Sequence, residues 1–247
     1  ANIPGMTRTV EYGRPYARFK PTQFMSDLYD SSIDSRYQAY WRDTWYATTA
    51  TDKLSVGDTA FYLPKDAWSK AQIDSKNYKV FNPEFSESLG SDYSTVSNRV
   101  FLHLKKFDDV KRATMNEAKG TRDWVCFRAA EAYLLAGEAY YRAGDVDNAL
   151  KYINTLRRNC AIEGKEKEME ISASDLSVDF ILDERARELC GEGKRWYDLK
   201  RLGKLIERTD LHNKKAHGNM KPFHELRPIP QSQIDRCTNV YPQNPQW

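Results

Sequence analysis

The sequence lacks several features that would place it in a functional class at once. No apolar run approaches the roughly 20 residues that a membrane-spanning helix needs, and the start, ANIPGMTRTV, has no apolar core of a signal peptide. Charge of one sign is also scarce, because 38 Lys and Arg against 35 Asp and Glu leave a net charge of +3. Since nucleic-acid-binding proteins carry a strongly basic surface, we expect no nucleic-acid partner.

Cysteine and histidine are few and are not arranged as metal ligands. None of the four cysteines forms a C-x-x-C pair, and His212, His217 and His224 follow no metal-binding spacing. Cys126 and Cys190 lie on predicted apolar helix faces, where a free thiol behaves as a small hydrophobic group. We therefore expect both thiols to be buried and no metal to be bound.

Catalytic motifs are missing as well. There is no G-x-S-x-G elbow, and GEGK at 191–194 is not a phosphate-binding loop, because Glu188 stands where that loop needs its first glycine. A glycosidase needs two carboxyl groups roughly 5 to 10 Å apart, and nothing singles out such a pair among 35 acidic residues. We expect no catalytic residues, no cofactor and no enzymatic activity.

Two amphipathic helices are the clearest positive signal, within residues 121–160. Apolar or small residues recur at steps of three and four from Cys126 to Tyr141 and again from Val146 to Cys160, with Gly144 and Asp145 between the two runs. This helical hairpin resembles one tetratricopeptide unit, but no second copy follows at a period near 34. We expect its neighbouring repeats to be missing and Tyr133, Tyr140 and Tyr141 to be left uncovered.

The predicted fold is mostly α, with extensive loops and a few short strands. Residues 1–120 are predicted as a loop-rich region, with strands at 36–49, 59–63 and 98–104. Residues 121–247 are predicted as a region of helical hairpins, the second at about 177–208, followed by an extended carboxy-terminal tail. Clustered charges such as Glu184, Arg185 and Glu188 form either a solvated face or a partly buried ion-pair network.

Aromatic residues on the predicted loops are the candidate ligand contacts. A flat aromatic ring offers a large area at a small entropic cost and stacks on the apolar face of a sugar ring. The candidates are Tyr12, Tyr16, Trp68 and Tyr78. The alternative, which stays open, is that these rings only pack their loops onto the domain.

Several motifs together resemble one known family. They are DSR at 34–36, KFDD at 106–109, RAAEAYLLAGEAYYRAGD at 128–145, ERARELCGEGKRWYDLKRLG at 184–203, LRPIPQSQID at 226–235 and QNP at 243–245. In this order and spacing they resemble the carboxy-terminal part of SusD/RagB-family outer-membrane nutrient-binding lipoproteins. The resemblance implies one SusD/RagB-like domain that lacks its amino-terminal half, and that half becomes an expected partner.

The same resemblance implies a function. It implies a surface-exposed protein of the outer membrane, lipid-anchored in its full-length form, that captures a glycan or oligosaccharide and delivers it to a SusC-like TonB-dependent transporter. RagB-like relatives handle peptides, so a peptide ligand is the alternative. A tetratricopeptide-type adaptor is a further alternative, but it leaves the aromatic loops without a role.

Overall fold

The computed structural model describes residues 3–12, 19–82 and 100–247. The chain divides into two compact units, Ala1–Glu188 and Leu189–Trp247. The predicted boundary near residue 120 stays a prediction. Tyr16 lies outside the described residues.

Helices dominate the structure, as predicted, and the strands are few and short. In the first unit the helices are α1 (Gln23–Asp27), α2 (Arg36–Tyr40), α3 (Lys70–Asp74), α4 (Ala129–Arg142), α5 (Val146–Asn159) and α6 (Val178–Glu188). In the second they are α7 (Arg195–Arg201), α8 (Leu205–His212) and α9 (Gln231–Ile234). None of the helices among the described residues is both long and apolar enough to cross a membrane.

The strands among the described residues of the first unit form two small sheets. Strand β1 (Trp41–Arg42) pairs antiparallel with β5 (His103–Leu104). Strand β2 (Thr44–Tyr46) pairs antiparallel with β3 (Thr59–Tyr62), which also pairs parallel with β4 (Lys79–Val80). The strand predicted at 59–63 is thus confirmed.

The strand predicted over residues 36–49 is wrong in its first part, which is helix α2. A carboxylate oxygen of Asp34 accepts a hydrogen bond from the backbone amide of Arg36 at 2.9 Å, at the start of this helix. The helical turn buries the side chains of Arg36 and Tyr37. Burial in the tertiary structure has overridden the strand preference of the aromatic residues.

The predicted hairpin is confirmed as α4 and α5. Gly144 adopts a positive φ of 81° between them, and the Asp145 side chain accepts a hydrogen bond from the amide of Asn148 at 3.1 Å. The helices cross closely, because a Cβ added to Gly137 would lie 2.7 Å from Cγ1 of Ile153. Ile153 belongs to a buried cluster with Ala149, Leu176 and Ile181.

Helix α4 begins at Ala129 and not at Cys126, so the prediction that Cys126 is a buried helical thiol is wrong. Arg128 before it is extended, with a φ of −149°, and its guanidinium donates to the carbonyl of Glu188 at 2.6 Å. The Arg128 side chain therefore holds the extended segment directly before α4, and Cys126 in that segment is exposed.

The outer face of α4 carries exposed aromatic residues, in part as predicted. Tyr133 and Tyr140 are exposed, and both pack against the ring of Tyr152. Tyr141, predicted on the same face, instead packs partly buried against the Ile153 cluster. At 100° per residue, neighbouring positions on a helix point in different directions, which separates Tyr140 from Tyr141.

The second unit explains two of the motifs in the tail. The side-chain amide of Gln243 accepts from the backbone amide of Ile229 at 2.7 Å and donates to its carbonyl at 2.8 Å. The Asn244 side chain donates to the carbonyl of Arg227 at 2.7 Å. Gly203, with a φ of 67°, lies between α7 and α8, so the later part of the hairpin predicted at about 177–208 consists of two short helices. Cys190 is half-buried rather than fully buried.

Candidate ligand-binding site

A buried ion-pair network in the first unit centres on Arg36, which is 2% exposed. Its guanidinium donates to Asp34 at 2.7 Å, to Glu184 at 2.8 Å and to Glu188 at 2.9 Å. Charge-assisted hydrogen bonds to several carboxylates are what a buried guanidinium needs to offset its loss of hydration. The partly buried network among the alternatives above is therefore confirmed, although Arg36 was not among its predicted members.

Three further arginines complete the network. Arg157 and Arg187 both contact the same oxygen of Glu184, and Arg128 contacts Glu188. Helices α2, α5 and α6 and the segment before α4 are thereby joined at one buried point. The DSR and ERARELC motifs meet here, so their role is to hold the fold.

The network shifts the pKa of Glu184 and of the Cys160 thiol. Burial alone would raise the pKa of Glu184, but the guanidinium groups of Arg36, Arg187 and Arg157 outweigh it and lower the pKa to about 2. Burial, opposed by Arg36, raises the pKa of the Cys160 thiol to about 12. Glu184 is therefore ionised at neutral pH, and Cys160 stays a neutral thiol that donates to Glu188 at 3.4 Å.

Helix α2 leads from this network directly into a cavity of about 420 Å³, which we call the Tyr12 cavity. Its lining includes Tyr12, Gln38 of α2, Arg42 of β1, and Thr44 and Tyr46 of β2. The lining charges cancel, since Glu11 and Asp43 stand against Arg42 and Lys105. The cavity combines an aromatic wall with neutral hydrogen-bonding groups.

The ring of Tyr12 is fixed in place. Its hydroxyl accepts from the backbone amide of Tyr46 at 3.0 Å and lies 3.4 Å from the carbonyl of the same residue. The guanidinium of Arg42 lies 4.8 Å from the ring centroid, and Arg42 is itself held by Asp108 at 2.8 Å. Burial raises the pKa of the Tyr12 hydroxyl above its ordinary value of 10.0, so the hydroxyl is protonated at neutral pH. A ring held this way contacts a ligand with little further loss of entropy.

Tyr78 lines a different cavity, of about 430 Å³, which we call the Tyr78 cavity. Its lining includes Pro4, Leu54, Ala60 and several lysines. Trp68 lines neither cavity, because its ring packs on Tyr62 at a centroid distance of 5.3 Å. The predicted aromatic residues are thus divided between two cavities and a packed loop.

The lining residues Gln38, Arg42, Thr44 and Tyr46 were not predicted as candidates. They lie in or beside the segment 36–49, for which only secondary structure was predicted. The one usable signal is the KFDD motif, because its Asp108 holds both Arg42 and His103, the latter at 2.6 Å. Among the described residues no group of His, Cys, Asp or Glu is arranged to hold a metal ion.

Comparison with known proteins places this architecture in a family. The chain matches the SusD family over residues 4–247. The chain belongs to the SusD family, which confirms the predicted resemblance.

Three similar proteins illustrate the relationship. "SusD-like protein P38" of Formosa agariphila is 34% identical over 212 residues, which cover 76% of this chain and 41% of that protein. "Starch-binding protein SusD" of Bacteroides thetaiotaomicron is 31% identical over 122 residues, which cover 48% of this chain and 20% of that protein. The crystal structure of a SusD superfamily protein from Bacteroides thetaiotaomicron matches with a TM-score of 0.47 and 28% identity, over 66% of this chain and 36% of that one. The chain thus spans less than half the length of these relatives.

Proposed function

We propose that this chain is part of a cell-surface glycan-binding protein that captures an oligosaccharide without cleaving it. The observation that carries the proposal is the Tyr12 cavity, in which an anchored aromatic ring stands beside the neutral side chains of Gln38 and Thr44 and beside charged groups whose signs cancel. Sugars present both an apolar ring face and several hydroxyl groups, and this lining offers a partner to each. The relative named as starch-binding supports the same ligand class.

The proposal extends to the whole protein of which such a chain forms part. That protein is anchored by lipid in the outer membrane, exposed at the surface, and passes its glycan to a SusC-like TonB-dependent transporter. An amino-terminal segment that packs on the exposed face of α4, at Tyr133 and Tyr140, completes the domain. Family membership supports these statements.

The test is glycan-array screening followed by titration calorimetry of the best neutral oligosaccharide. Tyr12→Ala removes the ring and is expected to weaken binding about fivefold or more, because a stacked aromatic contributes about 1 kcal/mol. Tyr12→Phe keeps the ring and its contact with Arg42 but loses the hydrogen bond from Tyr46, so it is expected to lose less affinity than Tyr12→Ala. Tyr197→Ala is the control, because Tyr197 is an exposed tyrosine that lines neither cavity.

Three outcomes would contradict the proposal. Binding of peptides but not of any glycan would favour the peptide-uptake alternative. Unchanged glycan affinity in Tyr12→Ala would remove the Tyr12 cavity from the binding site. Release of shortened oligosaccharide by the pure protein would show that it is an enzyme.

A further inference from the structure

The Tyr78 cavity differs from the Tyr12 cavity in its charge. Three lysines line it, Lys53, Lys76 and Lys79, against one acidic residue, Asp52, so its lining carries a net charge of +2. The corresponding charges in the Tyr12 cavity cancel. A concave surface with one dominant sign of charge attracts a ligand of the opposite sign.

The three ammonium groups are available to such a ligand. Within the described parts of the chain, none of them forms an ion pair with a carboxylate, not even with Asp52 in the same cavity. Other lysines of the first unit do form such pairs, as Lys165 does with Glu168 at 2.7 Å. Ammonium groups that no carboxylate neutralises can still bind an external anion.

The segments that carry these lysines are anchored. The loop that contains Lys53 is closed by a hydrogen bond from the amide of Thr51 to the carbonyl of Leu54 at 2.8 Å. Lys79 lies in β4, in register with Phe61 of β3. The ammonium group of Lys76 lies 5.6 Å from the ring centroid of Trp68, which is a cation–π contact. The cavity therefore brings together charges from separately fixed elements.

Part of the cavity lining is apolar. It includes the buried residues Leu54 and Ala60, together with Pro4 and the half-buried Tyr78. A ligand that matches both parts must combine an apolar face with an anionic substituent. An acidic pyranose, with its C–H face and its carboxylate or sulfate ester, has both.

We propose that the Tyr78 cavity is a subsite for an acidic sugar residue, in which Lys53, Lys76 and Lys79 bind the anionic group and Tyr78 contacts the ring. The inference rests on the proposed function, since it names the class of glycan that the protein selects. The Tyr78 cavity shares no lining residue with the Tyr12 cavity, so an experiment can contradict one proposal without contradicting the other.

The test compares charged sugars with neutral sugars of the same backbone by titration calorimetry on the full chain. One pair is hexagalacturonate and its fully methyl-esterified form, and the other is a dextran sulfate oligosaccharide and dextran of equal length. Preference for the charged member of only one pair identifies the anion as carboxylate or as sulfate. The test variant replaces the three cavity lysines by glutamine: Lys53→Gln, Lys76→Gln and Lys79→Gln.

A matched control separates the cavity from the general charge of the protein. It makes the same change at three exposed lysines outside the cavity: Lys111→Gln, Lys119→Gln and Lys151→Gln. Both triple variants have the same net charge. The proposal expects the wild type to bind a charged sugar about tenfold or more tightly than its neutral counterpart, because three partly exposed ion pairs together add a modest gain in affinity. Only the cavity variant should lose this preference.

Salt supplies a second readout. Raising the ionic strength from about 0.1 M to about 1 M shortens the electrostatic screening length from about 10 Å to about 3 Å. The affinity for the charged sugar should therefore fall, whereas the affinity for the neutral sugar should stay unchanged.

Four results would overturn the acidic subsite. They are equal affinity for both members of each pair, equal loss in both triple variants, binding of hexaglutamate as tight as that of the charged sugar, and no binding of any of the four sugars. Neutral glycans that still bind through Tyr12 would leave the proposed function intact in each case. Only the absence of all glycan binding, including on the array, would overturn both proposals.

Discussion

Replacing Arg36 by methionine tests the role of the buried network most directly. Methionine keeps a long unbranched side chain but removes the guanidinium that contacts Asp34, Glu184 and Glu188. Glu184 keeps Arg157 and Arg187, whereas Asp34 loses its guanidinium. A carboxylate that stays ionised in a buried place without its partner destabilises the folded state.

The expected loss of stability in Arg36→Met follows from the number of ion pairs that are lost and kept. Removing one partner of a buried pair costs about 3–5 kcal/mol. Because Arg157 and Arg187 remain on Glu184 and Arg128 remains on Glu188, we expect the lower end, about 3 kcal/mol. For a unit of this size each kcal/mol lowers the melting temperature by about 2–4 °C, so Arg36→Met should lower it by roughly 6–12 °C.

Urea denaturation and thermal melts followed by circular dichroism measure this change. Arg158→Met is the matched control, because Arg158 also forms an ion pair, with Glu170 at 2.8 Å, but its side chain is 42% exposed. An exposed pair contributes less than about 1 kcal/mol. Arg36→Lys should lie between the two, since an ammonium group keeps the charge but cannot reach three carboxylates at once. If Arg36→Met were no less stable than Arg158→Met, the network would not hold this fold together.

The helical part of the fold could be predicted because its signal is local. Helices α4 and α5 follow from apolar residues three and four apart, and the turn between them follows from Gly144 and Asp145. Helix α2 could not be predicted this way, because the burial of Arg36 depends on Glu184, which is 148 residues away in sequence. A pattern within a short window carries no information about such a contact.

The candidate site was predictable only in part, for a related reason. Loop composition indicated Tyr12 and Tyr78 as candidate ligand contacts, but it could not show that they line separate cavities. Trp68 looks the same in the sequence, and only its contact with Tyr62 shows that it packs within the loop region. Residues in the clearest motifs, such as Arg36 and Glu184, hold the fold together. A clear motif therefore does not identify the residues that bind the ligand.

Two further predictions concern the helical hairpin and the acid stability of the network. Gly137→Ala should destabilise the protein by about 1–3 kcal/mol in urea denaturation, because the added methyl group would lie 2.7 Å from Cγ1 of Ile153. This loss is expected although alanine favours a helix more than glycine does. A more stable variant would show that α4 and α5 separate easily to make room for the methyl group. The second prediction compares the wild type with Glu184→Gln at successively lower pH. The pKa of Glu184 is about 2 in the folded protein, against an ordinary value of 4.5, so its ionisation stabilises the fold fully above pH 4.5 and less as the pH falls towards about 2. The wild type should therefore be the more stable protein at neutral pH, and its advantage over Glu184→Gln should shrink between pH 4.5 and about 2. An advantage that stayed constant over this range would mean that Glu184 has the same pKa in the folded and unfolded chains, and the guanidinium groups around it would then contribute nothing to stability through its charge.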